Sequence, residues 1–332
     1  MTAPAAARSA DVSGLVERAR AGESRAVARL ISLVEDASPA LRQVAAALAP
    51  YTGRARVVGL TGAPGVGKST STSALVTAYR ATGVRVGVLA VDPSSPFSGG
   101  ALLGDRVRMQ EHATDDGVFI RSMATRGHLG GLAWATPQAL RVLDAAGCQV
   151  ILVETVGVGQ AELEIASLAD TTVLLLAPGM GDSIQAAKAG VVEIADIFVV
   201  NKADRDGADQ TVRDLRYMLS LGGRHSAAGA WRPEIVRTVA IRGEGTADVV
   251  AAIDKHAGWM AASGELDRRR RRRAAAEIEA IALAAMRAQF RDVHGSASLD
   301  RLAGEVVSGR CDPYAAADRL VGDLADELTS EA

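Results

Sequence analysis

Cysteine is almost absent from this 332-residue chain: Cys148 and Cys311 stand far apart in unlike contexts. Such a pair argues against a disulfide framework, and two lone thiols make no metal site by themselves. Aromatic residues are 3% of the sequence, so a core has to be assembled from Ala, Val, Leu and Ile. Neither sign of charge is in excess; the formal net charge is -2, which gives no push towards nucleic acid or an anionic membrane. No apolar run approaches the roughly 18–20 residues of a membrane span. The longest, around Thr171 to Ala177, is strand-sized, and Met1 to Ala10 lacks the charged start and apolar stretch of a signal peptide. These absences predict a cytoplasmic protein with no nucleic-acid or membrane partner. What is abundant is apolar: 48% of residues are hydrophobic, enough for a sizeable core.

Three regions separate by pattern, at residues 1–50, 51–262 and 263–332. In the first, apolar residues recur at helical spacing (Leu15, Val16, Ala19; then Val27, Leu30, Ile31, Val34), with a break at Ser38-Pro39. In the second, short apolar runs alternate with helical stretches such as Lys68–Thr82. The strand candidates are Val57–Leu60, Val84–Val91, Val150–Val153, Thr172–Leu176, Ile197–Val200 and Ile235–Val239. Runs this continuously apolar suit a mostly parallel sheet with helices on both faces, so the expectation is a doubly wound α/β domain. The third region reads as helical throughout (Leu266–Val293, Leu299–Val307, Pro313–Leu328). A helical arm of that size cannot fill a core alone and should pack on another surface.

The run Gly62-Ala63-Pro64-Gly65-Val66-Gly67-Lys68-Ser69 follows a predicted strand and opens a predicted helix. That is the context a phosphate-binding P-loop requires. Its glycines let backbone N–H groups turn inward towards phosphates, and the helix N-terminus adds a favourable dipole. Lys68 would neutralise β- and γ-oxygens, Ser69 would ligate Mg²⁺ and Thr70 would reach the α-phosphate. Magnesium needs further hard oxygen ligands. Asp92 and Glu154 stand at the C-terminal ends of apolar strands, where ligands of open α/β sheets gather. Glu154-Thr155-Val156-Gly157 occupies the place of the D-x-x-G of GTPases, which makes the Gly157 amide a candidate γ-phosphate sensor.

Asn201-Lys202-Ala203-Asp204 matches N-K-x-D after the strand Ile197–Val200. Guanine presents an N1–H and an exocyclic amine on one edge, and the Asp204 carboxylate can accept both. Adenine would leave that buried acceptor unpaired, at a cost of about 1–3 kcal/mol. Lys202 should lay its stem along the base, and Asn201 should brace the loop. Thr238-Val239-Ala240-Ile241 ends the last predicted strand, where a backbone amide would reach the guanine O6.

Between Asp92 and Arg108 lies a Pro-, Ser- and Gly-rich loop leading to Gly104-Asp105-Arg106, the natural switch segment. Asp105 is the candidate for orienting the magnesium shell or the attacking water. A second loop carries His128, and a third, Pro178–Lys188, leaves a strand end. Nothing stands unmistakably where a water-orienting glutamine would.

Taken together, these residues identify a family resemblance. From about Asp11 onward the chain resembles the MeaB/ArgK-type P-loop GTPases, chaperones of adenosylcobalamin-dependent methylmalonyl-CoA mutase. The P-loop, Val91-Asp92-Pro93-Ser94-Ser95-Pro96, Glu154-Thr155-Val156-Gly157-Val158-Gly159-Gln160 and Asn201-Lys202-Ala203-Asp204 carry it. The resemblance implies Mg²⁺ and GTP or GDP as bound groups, and a homodimer built through the C-terminal arm. It also implies weak hydrolysis stimulated by the mutase, gated cofactor loading, and an adenosyltransferase as a further partner. Loop Pro178–Lys188 looks like the family's relay to the mutase, with Asp182, Gln185 and Lys188 the residues carried over. Val239 departs from the usual Ser of the guanine-contact loop.

Relatives have been described as kinases of an arginine/ornithine transport system, but no acceptor base or second pocket stands out. A nickel-delivering metallochaperone would call for a His-rich tract or Cys/His cluster, and the histidines here are scattered. The six arginines Arg268–Arg273 point all round a helix, with Glu265, Asp267, Glu277 and Glu279 nearby. A solvated or intersubunit charge cluster fits them better than a nucleic-acid stripe.

Overall fold

The computed structural model of the chain describes residues 11–36, 38–92, 109–112, 114–124, 135–155, 160–179, 192–221, 229–291 and 297–330. Three helices come first: α1 (Val12–Arg20), α2 (Ser24–Glu35) and α3 (Leu41–Leu48). The Asp11 carboxylate caps α1 by accepting the Gly14 N–H at 2.9 Å. The spaced stripe Val27, Leu30, Ile31 and Val34 is buried along α2. The alternating region then runs β1 (Arg56–Thr61), α4 (Lys68–Ala81), β2 (Val86–Asp92), β3 (Val118–Ala124), α5 (Thr136–Ala145) and β4 (Val150–Thr155). It continues through α6 (Gln160–Leu168), β5 (Thr171–Leu176), β6 (Ile197–Val200), α7 (Ala208–Leu221), β7 (Glu234–Arg237) and α8 (Thr246–Ser263). Three helices end the chain: α9 (Glu265–Arg291), α10 (Ala297–Val307) and α11 (Pro313–Ser330).

The strands form one parallel sheet in the order β3-β2-β4-β1-β5-β6-β7. The chain leaves central β1 for one edge, returns to β4 beside it, and then builds the other half outward. That reversal places a crevice beyond the C-terminal end of β1, between the two halves. Register fixes what meets there: Leu60 pairs with Glu154 and Thr61 with Leu174. β4 and β5 are buried at every position, as strands covered on both faces must be. One apolar cluster joins α1–α3, α5 and α6 to one sheet face through residues such as Leu89, Ile151 and Val153. A second, with Leu75, Val76, Ala252 and Ile253, covers the opposite face. Cys148 lies in the first cluster, and burial pushes its thiol up to about 12.

Two strand expectations need correction. β3 was not foreseen, because Arg121 and Ser122 interrupt its apolar run. It is an edge strand, and the interruption has a use: Arg121 pairs with Glu35 and donates to Ser32 Oγ at 3.2 Å, both on α2. A helix thereby closes over the charged edge, which discourages pairing with a further strand. β7 stops at Arg237, two residues before the expected Val239. There the Val239 N–H turns to the Glu244 carbonyl at 3.0 Å, in an isolated antiparallel bridge.

The N-terminal edge of the sheet carries a buried charge network. Arg269 grips Asp196 with both terminal nitrogens at 2.8 Å and donates to the Asp170 carbonyl at 2.9 Å. His256 is fully buried, with Nδ1 2.9 Å from Thr171 Oγ1 and Nε2 3.4 Å from Asp196 Oδ1. Trp231 donates its indole N–H to the Asp196 carbonyl at 2.8 Å and packs its ring against His256. Burial pulls the His256 pKa down to about 4 against the opposing pull of Asp196. Arg269 is therefore a structural pin at the root of α9, not part of a solvated cluster. Arg268 does pair with Glu265, at 2.8 Å, as the sequence suggested.

The chain divides into two compact units, Met1–Arg269 and Arg270–Ala332. Within the second, Leu302 and Ala316 are buried. Glu305 ties α10 to α11 by accepting from Arg319 at 3.2 Å, and also accepts from Arg301 on its own helix at 3.0 Å. Among the described residues no helix is long and apolar enough to cross a membrane.

Candidate functional site

The P-loop curls between the end of β1 and the start of α4. Gly62 and Gly67 have φ of 142° and 99°, conformations side chains avoid. Space also requires them: a Cβ on Gly62 would meet the Leu175 carbonyl at 2.3 Å, and one on Gly67 would meet Asn201 Nδ2 at 2.3 Å. Lys68 is buried at the first turn of α4, with Nζ donating to the Gly62 and Ala63 carbonyls at 2.9 and 3.1 Å. Its ammonium is thereby held inside the loop that the sequence reads as a phosphate cradle. Thr70, on the same turn, is exposed.

Behind the loop lies the acid expected from β4. Glu154 is 4% exposed, and its two oxygens accept from Ser69 Oγ at 2.6 Å and Thr72 Oγ1 at 3.0 Å. A buried carboxylate needs such partners. No motif marks Thr72, whose position one turn past Ser69 puts both hydroxyls on one helix face. The Ser69 hydroxyl against a buried carboxylate is a hard-oxygen pair of the kind magnesium accepts. Among the described residues no group of three or more His, Cys, Asp or Glu side chains could hold a metal by itself. A cation there would depend on phosphate oxygens and water for the rest of its shell.

Asn201 ties three loops together. Its Nδ2 donates to the Val66 carbonyl at 2.8 Å, while Oδ1 accepts from Thr238 Oγ1 and the Ala240 N–H, both at 3.1 Å. Buried at 3% exposure, it is the brace the motif predicted. Lys202 has a left-handed backbone, φ 56°, and reaches across to the Gly65 carbonyl at 2.6 Å. Its aliphatic stem thus spans from the end of β6 to the P-loop. Asp204 is exposed, and Arg242 Nη2 donates to its Oδ2 at 2.9 Å. In the last loop Val239 is buried with its N–H committed to Glu244, and the Ala240 N–H is committed to Asn201, so the Ile241 amide is the remaining candidate for the proposed guanine O6 contact. Ile241 is 84% exposed on this rim.

The remaining candidates divide by placement. Asp92 ends β2 in register with Ala124; nothing further is described of its side chain. Asp105, His128, Gly157, Asp182, Gln185 and Lys188 lie outside the described residues. Beyond residue 108 a turn at Gln110–His112 is held to α4: Ser73 Oγ bonds Glu111 and lies 2.9 Å from His112 Nε2. No motif marked this anchor in the sequence.

Comparison with known proteins accords with this geometry. Residues 27–294 match the family profile described as methylmalonyl-CoA mutase-associated GTPase MeaB. A Pyrococcus abyssi protein that carries the name of a GTPase is 47% identical over 313 residues, covering 94% of this chain and 97% of its own. A mouse protein named methylmalonic aciduria type A homolog, mitochondrial, is 37% identical over 276 residues, covering 78% of this chain and 65% of its own. Among solved structures, one described as LAO/AO transport system kinase superposes with a TM-score of 0.70 at 25% identity. It spans 98% of this chain and 100% of that one.

Proposed function

The chain belongs to the MeaB family of GTPases, and from that premise we propose that it hydrolyses GTP in the service of an adenosylcobalamin-dependent methylmalonyl-CoA mutase. In this reading it gates cofactor loading and protects or reactivates the mutase. The observation that carries the proposal is the match of residues 27–294 to a family described as mutase-associated. The name of the mouse relative points the same way.

The site residues take the following roles in this proposal. The P-loop amides and the Lys68 ammonium gather the β- and γ-phosphates, and their charge stabilises the transition state as water attacks the γ-phosphorus and the β–γ bridge bond breaks. Ser69, with Glu154 and Asp92 in the surrounding shell, would hold Mg²⁺, which supplies neutralising charge on those phosphates. Asn201 keeps the phosphate and base loops in register, Lys202 covers one face of the guanine, and Asp204 accepts its N1–H and exocyclic amine. Asp105 and the Gly157 amide sense or orient the γ-phosphate end. Asp182, Gln185 and Lys188 relay between nucleotide and mutase, the C-terminal helices pair two copies, and an adenosyltransferase is a further partner.

The test is GTP turnover with and without purified mutase. Stimulation on the order of tenfold, within the usual span of coupling energies, together with co-elution, is the expected result. Absence of both would sink the chaperone reading while leaving the GTPase intact. A second reading, phosphoryl transfer to a transport protein, draws on the description of the solved relative. With γ-labelled GTP it predicts label on protein, whereas hydrolysis releases all of it as free phosphate.

A further inference from the structure

Arg242 was not singled out from the sequence, yet it touches the residue proposed to read the base. Its Nη2 donates to Asp204 Oδ2 at 2.9 Å, while its Nε lies 3.3 Å from Glu244 Oε1. The turn that presents it is tightly built. The Arg242 N–H donates to the Val239 carbonyl at 2.8 Å, and the Val239–Glu244 bridge closes the turn. Gly243 and Gly245 take φ of 71° and 76°, and a Cβ on Gly245 would fall 2.1 Å from the Arg237 carbonyl. The backbone therefore aims one guanidinium at two carboxylates.

The form of the contact separates two possible roles. A guanidinium that mimicked the guanine edge would present two parallel N–H groups to Asp204, the bidentate fork such pairs favour. Here a single nitrogen meets a single oxygen, and Glu244 engages another nitrogen of the fork. A carboxylate has about four lone-pair sites on its two oxygens, so Asp204 can keep this bond and still accept two donors from a base. Asp204 sits at the solvent rim with 44% of its side chain exposed, where an unrestrained carboxylate would rotate freely. One fixed bond removes that freedom before the base arrives, which is how preorganisation raises affinity.

We propose that Arg242, steadied by Glu244, is a positioning residue for guanine specificity. It holds the Asp204 carboxylate in the orientation that accepts both the N1–H and the exocyclic amine. The proposal rests on Asp204 reading the base. Inosine nucleotides keep the N1–H and lack the amine, so the preference for GTP over ITP measures the two-point contact. A residue that only supported the loop would weaken both nucleotides alike.

The experiment measures GTP and ITP affinity and turnover for the full-length protein and for Arg242→Gln, Arg242→Lys, Glu244→Gln and Asp204→Asn. Arg242→Gln should lower the GTP-over-ITP preference about fivefold, the worth of one net hydrogen bond. The loss should fall on KM, with kcat for GTP retained. Arg242→Lys, which can still donate to Asp204, should recover part of the preference, and Glu244→Gln should lose less than Arg242→Gln. An unchanged ratio in Arg242→Gln alongside a collapsed ratio in Asp204→Asn would overturn the proposal and leave the base reading standing. An unchanged ratio in Asp204→Asn would overturn both. Tighter GTP binding by Arg242→Gln would show Arg242 to be a competitor of the base, and would also overturn the proposal.

Discussion

The two ends of the sheet handle charge in opposite ways. At the N-terminal end Asp196 meets Arg269 and His256, which lie 60 or more residues further along on two consecutive helices, and each has its partner inside the first compact unit. At the C-terminal end the charged groups meet partners that a ligand can replace or supplement. Lys68 rests on two loop carbonyls, Glu154 on two hydroxyls, and Asp204 on one arginine nitrogen at the rim. The first arrangement fixes the root of α9; the second leaves electrostatic capacity for phosphate, cation and base. A charge removed from the first should cost stability, and one removed from the second should cost chemistry.

Lys68→Ala is the largest expected departure on the chemical side. Loss of its charge should reduce GTP turnover by about 10³-fold or more, comparable to removing a key transition-state donor, with the thermal midpoint nearly unchanged. Turnover within tenfold of the unaltered protein would break the division. Asp196→Asn is its counterpart. Leaving Arg269 and His256 without their carboxylate should cost about 3 kcal/mol of stability, read from denaturant midpoints, while GTP affinity of the folded fraction stays put.

Acid sharpens the same contrast. His256 is held at about 4 in the fold against 6.5 as its ordinary value. Between those two pH values the unfolded chain binds a proton that the folded chain refuses. Stability should therefore fall as pH drops below about 6.5 and the loss should level off near 4, amounting to about 3 kcal/mol in all. Unfolding curves at several pH values, for the unaltered protein and for His256→Asn, check this; a slope that persists undiminished in the variant would contradict it.

The sequence disclosed these two ends unequally, for a physical reason. Gly62–Ser69 is legible because a tight turn, a helix start and a phosphate-sized cradle must be written in consecutive residues. Asn201 is legible for a similar reason as the start of N-K-x-D, though its partner Val66 is not. Glu154 was found by its place at a strand end, though not its bond to Thr72. The Asp196–Arg269 pair joins residues far apart with no spacing rule between them, so from sequence the arginine run reads as a solvated or intersubunit charge cluster. β3 was hidden by Arg121, whose reason for being there is Glu35 on another element. Arg242 was hidden likewise, since a turn's aim is set by its backbone and not by composition.

The smallest and sharpest change is Asp204→Asn. It preserves size and removes charge, exchanging one acceptor for an amide donor. Xanthine keeps the N1–H of guanine and carries a carbonyl where guanine carries its amine, so it complements the new carboxamide. The decisive measurement is the ratio of GTP to XTP affinity for the unaltered protein and for Asp204→Asn, determined under one buffer and magnesium concentration. If the C-terminal edge of the sheet reads guanine through Asp204, the ratio inverts, with GTP affinity falling by roughly 10- to 100-fold and XTP gaining. A variant that still prefers GTP by the original ratio would contradict the account.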